Sequence, residues 1–542
     1  MGNQTQQKIF RAMAEPEFYP HQVSRIRQKD THISKVFLTG PYAYKIKKPV
    51  DLDFLDFSTL EKRRRCCERE VLLNRRLTED VYLDVVGITR DKGVYAMGGD
   101  TKAVEYAVRM RQLADSRMLE NLISGDKAIP QDMAALGRTL ARFYLSSPRQ
   151  DSLGADHVWQ NLFNACEENF SQTSGCSRTL FDRDLWETVR DATLSFLKNR
   201  RTCFDQRFRE GWIRDCHGDL RCGHVYFTDK GIQIIDCIEF NDRLRRIDIA
   251  SDLAFLLMDL DFRARPQYGD ILLDEYLKLT ADTRAFQLLP FYKCYRAVVR
   301  CKVNCILLSS QGLDRRQRKE AHLDALGYLD LARQYVLQFS RPGVWVVCGV
   351  PASGKSTVAE RLSRALGIKV FRSDEIRKGI FGLSPLDSGI ARMGKKLYSA
   401  QATALTYEKM LSLARQKIDA GCSTVLDATF SLEKHRRDLM RLTQDKAIRP
   451  IFIECTADDR ILKQRLASRE STPSVSDARI HDFETLKARY EPFKADGRCL
   501  HIRIDTATQV DESIRQLLIQ SFRISPCSMN SPSRILGEQK ID

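Results

Sequence analysis

The sequence lacks the long apolar segment that a membrane-spanning protein needs. No run of roughly eighteen or more uncharged apolar residues occurs in its 542 residues, so no transmembrane helix is expected. The polar start, Met1 to Lys8, has no apolar stretch of the kind found at the centre of a signal peptide. These absences predict a cytoplasmic protein with no membrane partner.

Paired cysteine motifs are missing as well. The 16 cysteines are scattered without a C-x-x-C framework, and the adjacent pair Cys66-Cys67 has poor geometry for holding a metal. Cysteines used in this way are typical of reduced intracellular thiols rather than of disulfides. Neither a disulfide-bonded secreted domain nor a zinc site is therefore expected.

Acidic residues are too few to balance the basic ones, and the net charge is +16. This excess admits a polyanionic partner. Basic clusters on helices are more often solvated faces, however, and no recognisable RNA- or DNA-binding module accompanies these. Nucleic acid is therefore a less favoured partner than a small molecule. The clusters lie at 62–65, 243–246 and 315–319.

The chain is too long for one hydrophobic core and divides most clearly at Arg341-Pro342-Gly343, where a helical pattern over 318–339 stops. Before this turn, short strand-like segments precede a helix-rich stretch, which is an α+β order. After it, strands and helices alternate, which predicts a compact α/β domain with a five-stranded parallel sheet. Its strands are expected at 344–348, 368–371, 423–427, 450–455 and 499–504. The predicted divisions are an N-terminal lead with little pattern at 1–30, domains at 31–340 and 341–523, and a disordered tail at 524–542.

The strongest chemical signal is an apolar strand that runs into G-x-x-x-x-G-K-S, the phosphate-binding loop (P-loop) of nucleotide-binding enzymes. Glycines let several backbone N–H groups point at one phosphate, Lys355 can reach the β- and γ-phosphates, and Ser356 can ligate Mg²⁺. The loop predicts that ATP and Mg²⁺ bind here. Its binding residues are Gly349, Pro351, Ala352, Ser353, Gly354, Lys355, Ser356 and Thr357.

Residues after the loop favour phosphate transfer over simple hydrolysis. Asp374 and Arg377 follow the second strand, where the carboxylate can orient or deprotonate a hydroxyl and the arginine can hold substrate or neutralise charge. Asp427 ends a buried strand and is the candidate Mg²⁺ carboxylate. Arg465 and Arg469 share a helix face, as arginines of a closing lid do. Together these residues resemble the P-loop kinases that phosphorylate small molecules or polynucleotide 5′-ends, including gluconate kinase and polynucleotide kinase. No AAA-type arginine finger is evident, so a mechanical ATPase is disfavoured.

A second constellation stands at His217-Gly218-Asp219, followed by a predicted hairpin that ends at Asp236. Asp219 on a rigid loop can orient or deprotonate a substrate hydroxyl, and Asp236 at a strand end can hold Mg²⁺ on ATP phosphates. The stretch resembles the aminoglycoside phosphotransferase branch of the protein-kinase-like fold, over roughly 30–335. We expect Asp252 to hold the catalytic loop rather than to act in the chemistry.

The resemblance implies further site residues. Ala43-Tyr44-Lys45 matches the A-x-K that places the ATP-binding lysine, and Glu70 is its implied ion-pair partner, with Lys47 and Glu68 as open alternatives. His224 stands where the family has asparagine, so it either ligates a metal or marks weakened catalysis. The full glycine-rich loop is missing, since only Gly40-Pro41 precedes Lys45.

The sequence thus predicts a bifunctional protein: an α+β aminoglycoside-phosphotransferase-like kinase domain followed by an α/β P-loop kinase or ATPase domain. Each would transfer the γ-phosphate of ATP to a hydroxyl of a small acceptor, and neither acceptor can be read from the sequence. In one alternative the first domain is a non-catalytic binding or regulatory module and only the P-loop domain turns over ATP. In a second, the protein is a nucleic-acid end kinase.

Overall fold

A computed structural model gives the fold of the chain. It describes residues 2–523 apart from short internal gaps, and the predicted tail at 524–542 lies outside the described residues. The gaps are 53–54, 99–101, 174–180, 310–312, 385–386, 388–393, 469–478, 495–496 and 508–509.

The chain begins with a six-stranded antiparallel sheet covered by helices α1 and α2. The sequence predicts a lead with little pattern at 1–30, whereas the structure has a helix and a strand in this segment. Helix α1 buries Ile9 and Phe10 against this sheet, Met13 just after the helix joins the same cluster, and strand β1 pairs with its neighbour. Strand order is β1-β2-β3-β8-β6-β7, and β4 and β5 form a separate ribbon. The elements are α1 Gly2–Ala12, β1 Arg27–Asp30, β2 Ser34–Leu38, β3 Tyr42–Lys47, β4 Asp51–Leu52, β5 Leu55–Asp56, α2 Leu60–Asn74, β6 Tyr82–Asp91, β7 Val94–Met97 and β8 Glu105–Arg111.

A helical lobe follows, interrupted by two short antiparallel ribbons that carry the first candidate site. Helix α8 is mostly apolar and buried at nearly every position, its aspartates included, which makes it the centre of the lobe. The helices are α3 Leu119–Ser124, α4 Pro130–Ser146, α5 Ala155–Gln172, α6 Arg183–Asn199, α7 Arg201–Arg209, α8 Ile249–Phe262, α9 Pro266–Thr280, α10 Leu289–Ser309 and α11 Arg315–Ser340. The strands are β9 Ile213–Asp215, β10 Val225–Thr228, β11 Gly231–Ile234 and β12 Arg246–Asp248.

The second half is the predicted α/β domain, and its five-stranded parallel sheet is confirmed. The first strand is buried at every residue, as expected for the middle of a parallel sheet with both faces covered. Strand order is β14-β15-β13-β16-β17. The elements are β13 Val344–Cys348, α12 Lys355–Leu366, β14 Lys369–Arg372, α13 Ser373–Ile380, α14 Ala400–Asp419, β15 Thr424–Asp427, α15 Glu433–Gln444, β16 Ile451–Thr456, α16 Asp459–Ser468, α17 Phe483–Ala488, β17 Leu500–Asp505 and α18 Val510–Ser521.

The two halves share one continuous apolar core. The ring of Phe522, just after α18, lies 5.5 Å from that of Phe286 in the helical lobe and 5.9 Å from that of Trp345 in β13. Polar contacts flank these rings: Gln287 donates to the carbonyl of Ala365 at 2.8 Å, and Arg523 pairs with Asp270 at 3.1 Å. The domains are therefore packed against each other rather than loosely tethered.

The sequence predicts free thiols and no membrane-spanning helix, and the following observations hold for the described residues only. Every cysteine that the structure describes is a free thiol. Across the same residues, none of the helices combines the length and apolarity required to cross a bilayer.

Candidate active sites

The loop that carries Asp219 is held by Asp252 of α8. One carboxylate oxygen accepts the N–H of His217 at 3.1 Å, and the other accepts the N–H of Gly218 at 2.7 Å. Gly218 has φ 90, and a Cβ there would lie 2.9 Å from the carbonyl oxygen of Leu244, so the turn requires glycine. Asp252 therefore acts on the loop backbone, and a buried Tyr144 hydroxyl donates to it at 3.0 Å.

Asp219 itself is gripped by Arg221, whose guanidinium donates to both carboxylate oxygens at 2.9 and 3.1 Å. Burial alone would raise the pKa of Asp219, but the charges of Arg221 and His224 and the hydrogen bond from Arg221 outweigh it and hold that pKa well below its usual range. Asp219 is therefore ionised at all ordinary pH values. It is suited to accepting a hydrogen bond from a hydroxyl rather than to acting as a strong base.

Asp236 meets Lys45 in a direct ion pair. Lys45 on β3 donates to Asp236 at 2.5 Å and to Glu70 on α2 at 2.8 Å. Asp236 has φ 67, a left-handed backbone conformation that is uncommon outside glycine, and its N–H donates to the Tyr82 hydroxyl at 3.1 Å. Burial would raise the pKa of Asp236, but Lys45 and His224 together hold it far below the usual range.

Lys47 lies on the same face of β3 but deeper in the fold. It donates to the second oxygen of Glu70 at 2.7 Å and also pairs with Glu239. Its side chain is 1% exposed, whereas that of Lys45 is 12% exposed. The structure thus places Lys45 beside Asp236 and Lys47 in a buried structural pair. Glu68 instead pairs with Arg64 on the exposed side of α2.

His224 sits between the two aspartates. Its Nδ1 lies 2.8 Å from the backbone oxygen of Asp219, and its Nε2 lies 3.6 Å from a carboxylate oxygen of Asp236. Arg221 donates to Nε2 at 3.1 Å, and because a guanidinium cannot accept, Nδ1 must carry the proton. His224 could ligate a metal through Nε2 only if Arg221 gave up this hydrogen bond.

The chemistry of these donors fits a divalent cation bound together with a nucleotide. Asp236 and His224 offer one oxygen and one nitrogen ligand, and the Asp236 side chain is 42% exposed. Within the described ranges, no group of three or more His, Cys, Asp or Glu side chains forms a complete metal site. A cation at Asp236 would therefore take its other ligands from phosphate oxygens and water, as Mg²⁺ commonly does.

The P-loop of the second domain has the backbone shape that its sequence predicts. Gly349, Ala352 and Gly354 all have positive φ, at 135, 63 and 82. A Cβ on Gly349 would lie 2.4 Å from the carbonyl oxygen of Cys455, so only glycine fits there. The buried hydroxyl of Ser353 has no hydrogen-bond partner among the described residues, and Lys355 donates to the carbonyl of Val350 at 2.8 Å. The loop is thus a curled cradle that leads directly into α12.

Asp427 closes the P-loop site at the end of β15. Burial raises the pKa of Asp427, while Lys355 and a hydrogen bond from the Ser356 hydroxyl oppose that rise. Asp374 is close enough to raise the same pKa further, so the structure brings these predicted residues together. Asp427 and Ser356 are a fitting carboxylate and hydroxyl pair for Mg²⁺.

Arg377 and Arg465 are both engaged in hydrogen bonds within the protein. Arg377 is buried, donates to the carbonyl of Leu397 and to Thr403, and lies over the ring of Tyr398. Arg465 donates to the Ala352 carbonyl at 3.3 Å and to both oxygens of Thr506, so it props the P-loop against the end of β17. A lid role would require Arg465 to leave these partners. Arg469 falls outside the described residues.

Two arginines were missed by the sequence reasoning. Arg221 contacts Asp219, and its position two residues after the candidate catalytic aspartate could have drawn attention to it. Arg372 ends β14 and lies 3.8 Å from Asp427, with a buried Nε that has no hydrogen-bond partner among the described residues. Its signal was a basic residue at the carboxyl end of a strand in the same parallel sheet as the P-loop strand, the edge where ligands of open α/β sheets bind.

Sequence comparisons agree with this division. Residues 119–289 match the profile of the Phosphotransferase enzyme family, and residues 344–493 match that of the AAA domain. The uncharacterized protein Rv2004c of Mycobacterium tuberculosis is 31% identical over 488 residues, which are 90% of this chain and 94% of the relative. The chain belongs to the Rv2004c family. This member joins a phosphotransferase-type kinase domain to a P-loop kinase domain, as the sequence predicted.

Other similarities cover single domains of this Rv2004c-family chain. The 6-phosphofructo-2-kinase/fructose-2,6-bisphosphatase of Caenorhabditis elegans is 27% identical over 158 residues, 27% of this chain and 33% of the relative. Among solved structures, a choline/ethanolamine kinase family protein from Mesorhizobium loti covers 61% of this chain and 99% of its own, at 14% identity and TM-score 0.36. A sugar kinase from Janibacter covers 34% of this chain and 98% of its own, at 19% identity and TM-score 0.28.

Proposed function

We propose that the chain is an ATP-dependent phosphotransferase whose two kinase-type domains each transfer the γ-phosphate of ATP to a hydroxyl of a small acceptor. The observation that carries this proposal is the convergence of Asp219 and the Lys45–Asp236 pair on one site, joined through His224. These residues come from separate parts of the fold, and a purely structural ion pair would not require Asp219 nearby.

The first domain supplies three functions from its own side chains. Lys45 can exchange Asp236 for phosphate oxygens and remain oriented by Glu70, 2.8 Å away. Asp219 accepts the hydrogen bond of the acceptor hydroxyl and orients its oxygen toward phosphorus. Arg221, already on Asp219, can offset negative charge as phosphate approaches. Asp236 would hold a Mg²⁺ ion, which would supply positive charge against the phosphates.

The transfer is balanced in the usual way for a kinase. The acceptor oxygen forms a bond to the γ-phosphorus while the bond from that phosphorus to the β–γ bridging oxygen breaks, so ADP leaves. The hydroxyl proton passes to Asp219, or onward to the new phosphate or to water, since ionised Asp219 holds it weakly. In the second domain, Lys355 and the P-loop would hold phosphates, and Asp374 would orient the hydroxyl.

The alternative of a non-catalytic first domain is favoured by one specific observation. Arg221 occupies both oxygens of Asp219 and also donates to His224, so the site is closed upon itself. A domain that binds a ligand but does not catalyse phosphate transfer would be consistent with the same Arg221 contacts. Only turnover at the first site distinguishes the two functions.

Single-site variants of the full chain test the proposal, because the shared core around Phe286, Trp345 and Phe522 makes separated domains unsuitable. ATP turnover would be followed with a panel of hydroxyl compounds in Lys355→Ala, Asp219→Asn and the double variant. We expect each single variant to lose part of the turnover and the double variant to lose all of it. If Lys355→Ala alone abolished all turnover, the first domain would be the non-catalytic module.

A further inference from the structure

A cavity of about 540 Å³ lies beside the first site, with Gly218 and Asp219 on its wall. Its volume is in the range of pockets that enclose small organic ligands. Helices α5, α7, α8 and α10, strand β9 and the segment 238–248 contribute the remaining walls. Because Asp219 faces this space, the cavity is where an acceptor hydroxyl would reach the site.

The apolar part of the wall combines aliphatic side chains with several aromatic rings. The rings offer flat faces against which an apolar or ring-shaped body can pack. They include those of Trp159, Phe204, Phe208, Phe240, Tyr292 and Tyr295.

The carboxylates on the wall are largely neutralised within the protein. Asp248 accepts two hydrogen bonds from the buried guanidinium of Arg207, at 2.7 and 2.9 Å. Asp219 is held by Arg221 in the same two-pronged manner. The remaining wall carboxylate, Glu168, is exposed on α5.

Of the four cations on the wall, Arg246 pairs with Asp242 at 2.8 Å, and the other three are less fully neutralised. Arg296 is 5% exposed, and its hydrogen bonds within the described part of the chain go to the carbonyl oxygens of Ser251 and Gly218 rather than to carboxylates. Lys302 donates to the neutral amide of Gln172 at 3.3 Å. Arg243 is exposed at the edge of the cavity. Positive charge therefore exceeds negative charge around the space.

A buried donor also lacks a partner. Asn169 lines the cavity and is 3% exposed, and its Nδ2 makes no hydrogen bond with the described residues. An unsatisfied buried donor is energetically costly, and an oxygen atom of a ligand would remove that cost. Like the cations, the Nδ2 of Asn169 favours a ligand that carries a hydrogen-bond acceptor at this position.

We infer that the acceptor of the first domain is an anionic hydroxyl compound, with a carboxylate or phosphate group facing Lys302, Arg243 and Asn169, and an apolar body against the aromatic wall. This inference rests on the proposed function for the role of Asp219. The inference excludes amine-bearing hydroxyl compounds as preferred substrates, because the positive charge of the amine would be repelled by Lys302 and Arg296. Among the wall carboxylates, Glu168 alone is not held by an arginine, and it is exposed.

Matched sets of aryl alcohols test the inference by isothermal titration calorimetry on the full chain without nucleotide. Each set has one carbon skeleton bearing a carboxylate, a phosphate ester, a carboxamide or an aminomethyl group. We expect the acids to bind at least about tenfold more tightly than the amides, and the amines to bind most weakly. The carboxylate and phosphate arms distinguish the two kinds of anion.

Substitutions in the cavity test whether the preference for acids arises there. Lys302→Met should reduce the preference for acids several-fold, and Lys302→Glu should shift it toward amines. Lys319→Met on exposed α11 is the matched control and should leave it unchanged. Equal or tighter binding of the amines, or no acid bound at all, would overturn the inference.

The same compounds separate this inference from the proposed function. With ATP added, acids that bind selectively but are not phosphorylated would refute the proposed activity and leave the cavity assignment standing. Phosphorylation of the amines in preference to the acids would support the proposed activity and refute the inference of an anionic acceptor.

Discussion

Lys45 and Asp236 are 191 residues apart in the chain, yet the Lys45 ammonium lies 2.5 Å from a carboxylate oxygen of Asp236. One comes from the antiparallel sheet and the other from the end of a ribbon in the helical lobe. Their pairing joins the two parts of the first domain at the point where a nucleotide phosphate would bind. A nucleotide must compete for Lys45, so this ion pair is the element that we expect to rearrange on binding.

Replacing the two lysines of β3 should have different effects. Lys47→Met leaves Glu239 buried without its cation and leaves Glu70 with Lys45 alone, so it should destabilise the fold by about 3–5 kcal/mol. Lys45→Met should cost less stability, because Glu70 keeps Lys47 and Asp236 is partly exposed, but should weaken nucleotide binding at the first site. Urea unfolding followed by circular dichroism measures the first effect. Lys48→Met, which removes an exposed pair with Asp30, is the control and should change stability by less than about 1 kcal/mol.

Removing Arg221 should change how activity at the first site depends on pH. Arg221 helps to hold the pKa of Asp219 below its usual range, so Arg221→Gln should raise that pKa. Under the proposed function, transfer requires ionised Asp219, which wild type keeps ionised at ordinary pH. The variant should therefore show an acid limb at higher pH than wild type in its pH–rate profile, and its maximal rate should fall. The measurement is made in a Lys355→Ala background. An unchanged acid limb would show that Asp219 is not the titrating group.

The first domain should lose stability in mild acid because of His217. Burial lowers the pKa of this imidazole, whose Nε2 lies 2.9 Å from the carbonyl of Ile235 and whose Nδ1 accepts the N–H of Asp219. Below about pH 6.5 the unfolded chain gains a proton that the folded one resists, so stability falls by up to about 1.4 kcal/mol per pH unit until the folded pKa is reached. Melting temperatures between pH 7.5 and 5.5 should decline less in His217→Gln than in wild type. His32→Gln, at an exposed position, should decline as wild type does.

Much of the fold followed from local pattern. The fully apolar run at 344–348, the glycines after it and the regular alternation of strands and helices are short-range signals, so the parallel sheet and its P-loop were predictable. The loop His217-Gly218-Asp219 and Asp236 were predictable because they too form a short-range motif in the sequence.

Tertiary contacts explain what could not be predicted. Lys45 and Lys47 share a strand face because side chains alternate, so only their partners Asp236 and Glu239 distinguish them. Helix α1 looked patternless because its buried apolar residues, Ile9 and Phe10, lie at one end, with Met13 just beyond the helix. The packing of Phe522 on Phe286 joins residues far apart in sequence, and no local signal announces it.

The count of nucleotide sites per chain tests the central claim most directly. Isothermal titration of the full protein with a non-hydrolysable ATP analogue and Mg²⁺ should give two sites in wild type. One site should remain in Lys355→Ala and one in Lys45→Met, with none in the double variant. A single site in wild type that disappears in Lys355→Ala would contradict the account.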